Sequence, residues 1–320
     1  MHREGKQTIT VGLAQIAPVW LNRQATTDKI IQYIAAAGEK GCSLVVFGEA
    51  FLPGYPFWLS FTGGAQFDDS LQKKWHAHYM QEAVQISQGD LAAICQACKA
   101  HHLAAIVGCI ELAKDRGNHS LYCSLVYIDA TGNIASVHRK LVPTYEERLS
   151  WSPGDGHGLR VHPLEAFTLG ALNCWENWMP LPRAALYAQG EDLHVAIWPG
   201  NLPNTQDITR FIARESRSYV VSVSGLLRKE DITDYIPHSE HILAKSPAFL
   251  GNGGSCVAAP NGEWVLAPVI EEETLLTVAI DHAKVREERQ NFDASGHYAR
   301  PDVTQLTVNR QRQSIITLED

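Results

Sequence analysis

The sequence predicts an α/β protein in which two mixed β-sheets pack face to face and helices cover their outer sides. Strand-like runs alternate with helical patterns along most of the chain, which favours parallel strands joined by helices. Two hairpin signals interrupt this alternation and indicate that the sheets are mixed rather than purely parallel. Several strands are apolar throughout, as strands covered on both faces are.

The predicted strands are short runs rich in β-branched and apolar residues. The first alternates and ends at Pro18, whereas residues 43–47 form a continuous apolar run just before Glu49. Glycine and asparagine in the turns 130–133 and 261–262 indicate the two hairpins. In chain order, the predicted strands cover residues 8–17, 43–47, 103–110, 121–129, 134–139, 167–173, 193–198, 220–226, 255–259, 264–267 and 274–280.

Helices are predicted between these strands where apolar residues recur at helical spacing. The first is capped by Asn22 or Thr27, carries Ile30 and Ile34 on one face, and ends at Gly38 or Gly41. Further helices are predicted over residues 87–101, 179–186 (begun by proline) and 206–219, with a charged helix from 282. An aromatic insertion over 53–75 and a polar loop over 142–158 lack either pattern, and such segments often build pockets and sites.

Length and composition indicate one domain over residues 1–320, with a core from about 8 to 282 and a tail over 283–320 that we expect in subunit contacts. The chain is 45% hydrophobic and 19% charged, with a net charge of −8 and no basic run. These values argue against nucleic acid and anionic membranes as partners. No apolar window approaches the roughly 18 residues of a membrane span, and we expect a cytoplasmic protein.

The seven cysteines are an odd number in a chain of this size, which favours reduced thiols. Cys95 and Cys98 resemble part of a metal site, but they share a predicted helix face with Leu91 and Ile94. Core packing is therefore the favoured interpretation, and no metal is expected there.

Three predicted strands end at a residue suited to catalysis, namely Glu49, Lys140 and Cys174. Each alone has an ordinary explanation as a loop acid, a surface cation or a packing thiol. In an α/β sheet, however, sites gather at the carboxyl ends of strands. Together they supply a thiol nucleophile, a carboxylate to move its proton, and an ammonium to stabilise the thiolate and the developing negative charge.

Other catalytic signatures do not fit the sequence. There is no G-x-S-x-G elbow, H-E-x-x-H pair or Walker lysine loop, and the glycines of 154–158 neither follow a strand nor open a helix. A cysteine–histidine mechanism needs a histidine partner, and His138, on a strand close to Lys140, carries no recognisable signature.

Four blocks resemble the nitrilase superfamily, and its nitrilase branch in particular. They are residues 47–56 (FGEAFLPGYP), 138–148 (HRKLVPTYEER), 170–177 (GALNCWEN) and 296–302 (GHYARPD). The resemblance implies an αββα sandwich that forms homodimers or larger homo-oligomers, with no cofactor and no metal. Its catalytic triad falls on Glu49, Lys140 and Cys174, and a further active-site glutamate on Glu147, although Glu146 adjoins it.

The nitrilase branch implies hydrolysis of organic nitriles to carboxylic acid and ammonia. An amidase, a carbamoylase, or a cyanide hydratase or dihydratase would use the same triad, and a catalytically silent scaffold would share the fold. Whether aliphatic or aromatic nitriles are preferred stays open. Aromatic or proline residues near the catalytic positions are the expected pocket lining: Tyr55, Phe57, Trp58, Trp175, Trp198 and Pro199.

Overall fold

The computed structural model describes residues 5–234 and 236–316, and strands account for much of this part of the chain. The strands are β1 (Thr8–Gln15), β2 (Leu44–Phe47), β3 (Ala104–Leu112), β4 (Leu121–Ile128), β5 (Ile134–Arg139), β6 (His162–Leu164), β7 (Phe167–Asn173), β8 (Leu193–Trp198), β9 (Tyr219–Ser224), β10 (Leu226–Arg228), β11 (Phe249–Ala258), β12 (Trp264–Ile270) and β13 (Thr274–Asp281). Eleven of them follow the predicted order, and most of their ends shift by one to three residues, although β11 begins six residues before its predicted start. The short strands β6 and β10 were not predicted as separate strands.

Five of the eight α-helices among the described residues lie where the sequence predicts them. The eight are α1 (Arg23–Glu39), α2 (Trp58–Phe61), α3 (Ser70–Glu82), α4 (Ala92–His101), α5 (Pro180–Tyr187), α6 (Leu202–Ser216), α7 (Ser239–Leu243) and α8 (His282–Arg289). The helices α2, α3 and α7 were not predicted. Proline begins α5 where its missing N–H costs nothing. None of the helices in the described part of the chain combines the length and apolar character that a membrane crossing requires.

The strands form two mixed sheets. The first has the order β13-β1-β2-β3-β4-β5, in which β1, β2 and β3 are parallel and the other pairs antiparallel. The second has the order β10-β11-β9-β8-β7-β6, with β12 also paired to β11, and its parallel pairs are β7–β8 and β8–β9. The two predicted hairpins, β4–β5 and β11–β12, are present as antiparallel pairs.

The alternation of side chains along β2 shows how the layers are built. Leu44 and Val46 join the core between the two sheets, whereas Val45 and Phe47 pack among residues of α1 and α4. Successive side chains of a strand point to opposite faces, so β2 is covered on both. On the second sheet, α6 packs against β8 and β9, which completes the predicted four-layer αββα order.

The main departure from the prediction lies in the aromatic insertion. The expected irregular wall over 53–75 contains α2 and the start of α3, which Asp69 begins by accepting hydrogen bonds from the backbone N–H groups of Leu71 and Gln72. The sequence signal is weak because α3 buries only Trp75 and Tyr79 fully. Cys98 on α4 packs in the core beside α1, in agreement with the packing interpretation.

The C-terminal tail lies against its own chain in the described region up to residue 316. Arg312 pairs with Asp155 at 2.9 Å, and the Gln313 N–H donates to the same carboxylate at 3.0 Å. Val308 packs against the same apolar cluster as Leu141. These contacts hold the loop that follows Lys140 from outside.

Candidate active site

The carboxyl ends of three strands bring together an ammonium, two carboxylates and a thiol. Lys140 follows β5 and its Nζ lies 2.8 Å from Glu49 Oε1, at the end of β2, and 2.7 Å from Glu147 Oε2. Cys174 follows β7 of the other sheet, and its sulfur lies within 4.8 Å of both carboxylates. All four side chains are buried. The structure therefore brings together the four residues that the sequence singled out for catalysis.

One carboxylate oxygen of Glu49 contacts neighbouring polar groups, and the other has no hydrogen-bond partner among the described residues. Its Oε1 faces Lys140 and the Cys123 sulfur, at 3.6 Å, while Oε2 is buried and unpaired. Burial and the nearby charge of Glu147 raise its pKa to about 7 against the opposing effect of Lys140. Such a carboxylate is suited to accept and return a proton near neutral pH.

The backbone around Glu49 leaves no room for a side chain at one position of the neighbouring strand, Gly108 of β3. A Cβ on Gly108 of β3 would collide with the Gly48 carbonyl oxygen and come within 2.8 Å of the Glu49 Cα. Glycine at this position thus permits the close approach that sets Glu49 beside Lys140.

Cys174 begins a short 3-10 turn with a left-handed backbone, φ 45°. Burial, together with the charges of Glu49 and Glu147, raises the pKa of its thiol well above the usual value, and Lys140 and the Trp175 backbone N–H only partly oppose this. The thiol is therefore harder to ionise than an exposed cysteine, which fits the expected role of a carboxylate that moves its proton. Its proton has to leave as the sulfur attacks.

Adjacent glutamates have separate environments in the turn Tyr145–Leu149. Glu147 accepts hydrogen bonds from Lys140, from the Tyr55 hydroxyl at 2.9 Å and from the Thr144 N–H at 2.6 Å. Glu146 accepts from the Ser60 hydroxyl at 2.7 Å and lines the cleft. The choice between them that the sequence left open thus falls geometrically on Glu147 as the partner of Lys140.

A buried carboxylate ties the cysteine turn to the lysine strand. Glu176 accepts hydrogen bonds from His138 at 3.0 Å, from the Asn173 N–H at 2.9 Å and from the Leu141 N–H. Burial alone would raise its pKa, but His138 and the backbone donors lower it below the usual value. Glu176 thereby connects His138 and Leu141, which flank Lys140, to Asn173, which directly precedes Cys174.

A second series of buried hydrogen bonds holds the same turn from β8, the strand that pairs with β7. The Asn177 amide donates to the Cys174 carbonyl at 2.8 Å, its oxygen faces His194 Nε2 at 2.8 Å, and His194 Nδ1 faces Glu191 at 2.9 Å. Sequence reasoning did not assign a role to any of these residues. The only signal was the polar run of 173–177 directly after an apolar strand.

The thiol opens onto a cleft of about 330 Å³ between the aromatic insertion and the second sheet. Its walls include four of the six residues that the sequence offered as pocket lining, namely Tyr55, Phe57, Trp175 and Pro199. Other side chains on its walls were not foreseen as lining. They are Ser60, Phe61, Thr144, Glu146, Asn201, Asn204 and Leu250.

Trp58 and Trp198 do not line this cleft, which corrects their expected place. Trp58 is fully buried and stacks on Trp75, with ring centroids 5.6 Å apart, behind the wall that Tyr55 and Phe57 form. Trp198 ends β8 on the face that packs against α6. Both were chosen for their nearness in sequence, but helix and strand geometry turn these side chains into the core.

The last of the four sequence blocks lies on the surface. Arg300 and Asp302 form an exposed ion pair at 2.7 Å, and neither lines the cleft. Donor atoms suited to a metal occur in two groups of the described residues: the exposed His238, Glu240 and His241, and the buried Glu49, Glu147 and Cys174. In the buried group, the Lys140 ammonium already supplies a positive charge to both carboxylates.

A thiol, a proton-accepting carboxylate and a buried ammonium in an αββα sandwich define a cysteine-dependent hydrolase site. The family model described as carbon-nitrogen hydrolase matches residues 10–290, and the chain belongs to this family. The chain is similar to the protein named nitrilase 2 from an unknown prokaryotic organism, with 37% identity over 98% of this chain and 96% of the relative. An aliphatic nitrilase from Sinorhizobium fredii (strain HH103) is 34% identical, over 95% and 96% of the two chains.

A solved structure supports the fold independently. A carbon-nitrogen hydrolase from Helicobacter pylori G27 superposes with a TM-score of 0.69 at 21% identity and covers 92% of this chain and 96% of its own. The four-layer sandwich predicted from the sequence is confirmed.

Replacement of Glu176 by glutamine should loosen the cysteine turn. A hydrogen bond to a buried charged group contributes about 1.5–3 kcal/mol, and Glu176 accepts several, so we expect a loss of about 3 kcal/mol in the free energy of unfolding, measured by urea denaturation. Alkylation of Cys174 by iodoacetamide should also slow. The control, Glu288→Gln, removes a half-buried surface carboxylate of α8. Equal stability losses in the two variants would contradict the anchoring role of Glu176.

The raised pKa of Glu49 predicts the pH at which Cys174 becomes reactive. Glu49 must be deprotonated to accept the thiol proton, so the alkylation rate should rise with pH through about 7. In Glu49→Gln this rise should disappear. A midpoint of about 8.5 in the parent protein, the usual thiol pKa, would show that the cysteine ionises without Glu49.

Proposed function

We propose that this protein is a nitrilase, which hydrolyses organic nitriles to a carboxylic acid and ammonia with Cys174 as nucleophile. The observation that carries the proposal is the unpaired Glu49 oxygen in a cluster where Lys140 joins Glu49 to Glu147 beside the Cys174 sulfur. The similarity to relatives named nitrilases, over nearly the full length of each chain, supports nitriles as the substrate class.

The first half of the reaction attaches the substrate to the enzyme. Glu49 accepts the thiol proton as sulfur bonds to the nitrile carbon, and that proton is returned to the nitrogen, which gives a thioimidate. Because the pKa of Glu49 is raised to about 7, the carboxyl group exchanges this proton at little cost. One water then adds to the thioimidate carbon and forms a tetrahedral intermediate.

The second half releases the two products. Glu49 accepts the hydroxyl proton of the tetrahedral intermediate and passes it to the amino nitrogen, the carbon–nitrogen bond breaks, ammonia leaves, and a thioester remains on Cys174. A second water, deprotonated by Glu49, attacks the thioester and releases the acid, and the thiol is restored. If the tetrahedral intermediate expels sulfur instead, the product is an amide. The fraction of amide in the product therefore measures how often the intermediate loses sulfur rather than ammonia.

Lys140 and the backbone supply the electrostatic part of catalysis. The Lys140 ammonium, held by two carboxylates, stabilises negative charge on the substrate nitrogen or oxygen together with the Trp175 N–H. Glu147 keeps Lys140 in place and is itself fixed by Tyr55 and Thr144. This support is preorganised, so little rearrangement is needed when charge develops.

We further propose that the chain forms one domain and acts as a cytoplasmic homo-oligomer. Trp178, Leu181 and Phe211 expose large apolar side chains on or beside α5 and α6. Arg183 of α5 links the two helices, since its guanidinium pairs with Glu215 of α6 at 2.8 Å and lies over the Phe211 ring at 5.4 Å. It also donates to the Asn177 carbonyl of the cysteine turn at 2.7 Å. An apolar surface directly behind the cysteine turn is suited to a second subunit.

Cys174→Ala should abolish turnover and leave the fold intact. Purified protein is incubated with a nitrile and with the corresponding amide, while ammonia, acid and amide are measured. The matched control is Cys98→Ala, a buried thiol in the core beside α1, which should retain turnover. Acid from the amide alone would favour an amidase, and substantial turnover by Cys174→Ala would contradict the nucleophile.

Leu181→Glu should weaken the proposed subunit contact. A charge in an apolar interface carries a desolvation cost, so light scattering should show a smaller particle than the parent protein forms. Phe67→Glu, at an exposed position outside both α5–α6 and the C-terminal tail, serves as control. Equal masses for the parent and Leu181→Glu would place any subunit contact elsewhere.

A further inference from the structure

The cleft above Cys174 carries a negative charge that the proposed mechanism does not use. Glu146 lies on its wall, half-buried, and its one hydrogen bond within the described residues is the one it accepts from Ser60. No lysine or arginine in that part of the chain lies within ion-pair distance of its carboxylate. Its neighbour Glu147, in contrast, forms an ion pair with Lys140.

The other walls of the cleft offer no positive charge. Its described lining contains no lysine, arginine or histidine, and its polar side chains are hydroxyls, the two carboxylates and the amides of Asn201 and Asn204. Lys140 lies below and is already shared by Glu49 and Glu147. A substrate carboxylate in this cleft would meet Glu146 without a compensating cation, whereas an ammonium would gain a partner.

We propose that Glu146 selects substrates by charge, so that the cleft favours nitriles with a cationic group remote from the reacting carbon and disfavours those with a carboxylate. This inference rests on the proposed function, because it assumes that the cleft binds nitriles. Ser60 positions the Glu146 carboxylate, and the aromatic wall of Tyr55, Phe57 and Trp175 encloses the connecting chain. Glu146 is thereby a specificity-determining residue beside a site whose chemistry it leaves unchanged.

The test compares three nitriles of one chain length that end in an ammonium, a methyl or a carboxylate group. Aminocapronitrile, heptanenitrile and cyanohexanoate meet this condition, and kcat/KM is measured for each at neutral pH. For the parent enzyme, the ratio of the ammonium to the carboxylate substrate should exceed one. In Glu146→Gln this ratio should fall by about five-fold, as expected for a partly exposed ion pair worth about 1 kcal/mol. Glu146→Lys should reverse the order.

Two controls separate local charge from the charge of the whole molecule. Glu287→Gln removes one exposed carboxylate of α8, outside the cleft lining, and should leave the ratio unchanged. Added salt should reduce the preference of the parent enzyme, because ions screen exposed charges. Thermal unfolding of each variant checks that the fold is retained.

The outcomes distinguish this inference from the proposed function. If nitriles are hydrolysed but Glu146→Gln and Glu146→Lys leave the ratio unchanged, charge selection by Glu146 is wrong and the nitrilase proposal stands. The same three chains are therefore also tested as primary amides. If only the amides react, the nitrilase proposal fails, and the ratio among the amides still decides whether Glu146 selects by charge.

Discussion

The buried Lys140 ammonium is the interaction on which the site depends. An ammonium removed from water carries a penalty of several kcal/mol unless charged partners surround it closely. Glu49 and Glu147 provide these partners at 2.8 and 2.7 Å. Two carboxylates around one cation leave an excess negative charge, and burial makes that excess costly. The pKa of Glu49 rises to about 7 as a consequence, so the requirement for burying Lys140 also produces the proton acceptor.

The strand ends were predictable because a local pattern determines them. The apolar run of β2 ends just before Glu49, and Lys140 and Cys174 come directly after the β-rich segments β5 and β7, so each of the three stands at the carboxyl end of a strand that its local sequence predicts. The place of Trp198 was also available from this pattern. Leu193, Val195 and Ile197 of β8 face the other sheet, so the alternate Trp198 must face α6. Its nearness in sequence to Pro199 misled the pocket assignment.

The anchors of the cysteine turn were not predictable because they join distant parts of the chain. Glu176 meets His138 between strands of different sheets, and Asn177 meets His194 on a neighbouring strand. No spacing in the sequence specifies such pairs. Their physical reason appears only in the structure: Cys174 has φ 45°, a conformation that costs a residue with a side chain about 1 kcal/mol or more. Contacts on both sides of the turn hold the nucleophile in this conformation.

Glu146 and Glu147 show how neighbouring residues of one turn serve opposite purposes. In a 3-10 turn, successive side chains diverge by about 120°, so one carboxylate reaches Lys140 while the other reaches the cleft. Charge at the cleft wall acts on a remote substrate group in the bound state and in the transition state alike. Such uniform binding changes which substrate is captured but not the barrier of the chemical step. Selectivity at position 146 can therefore vary without disturbing the cluster that position 147 completes.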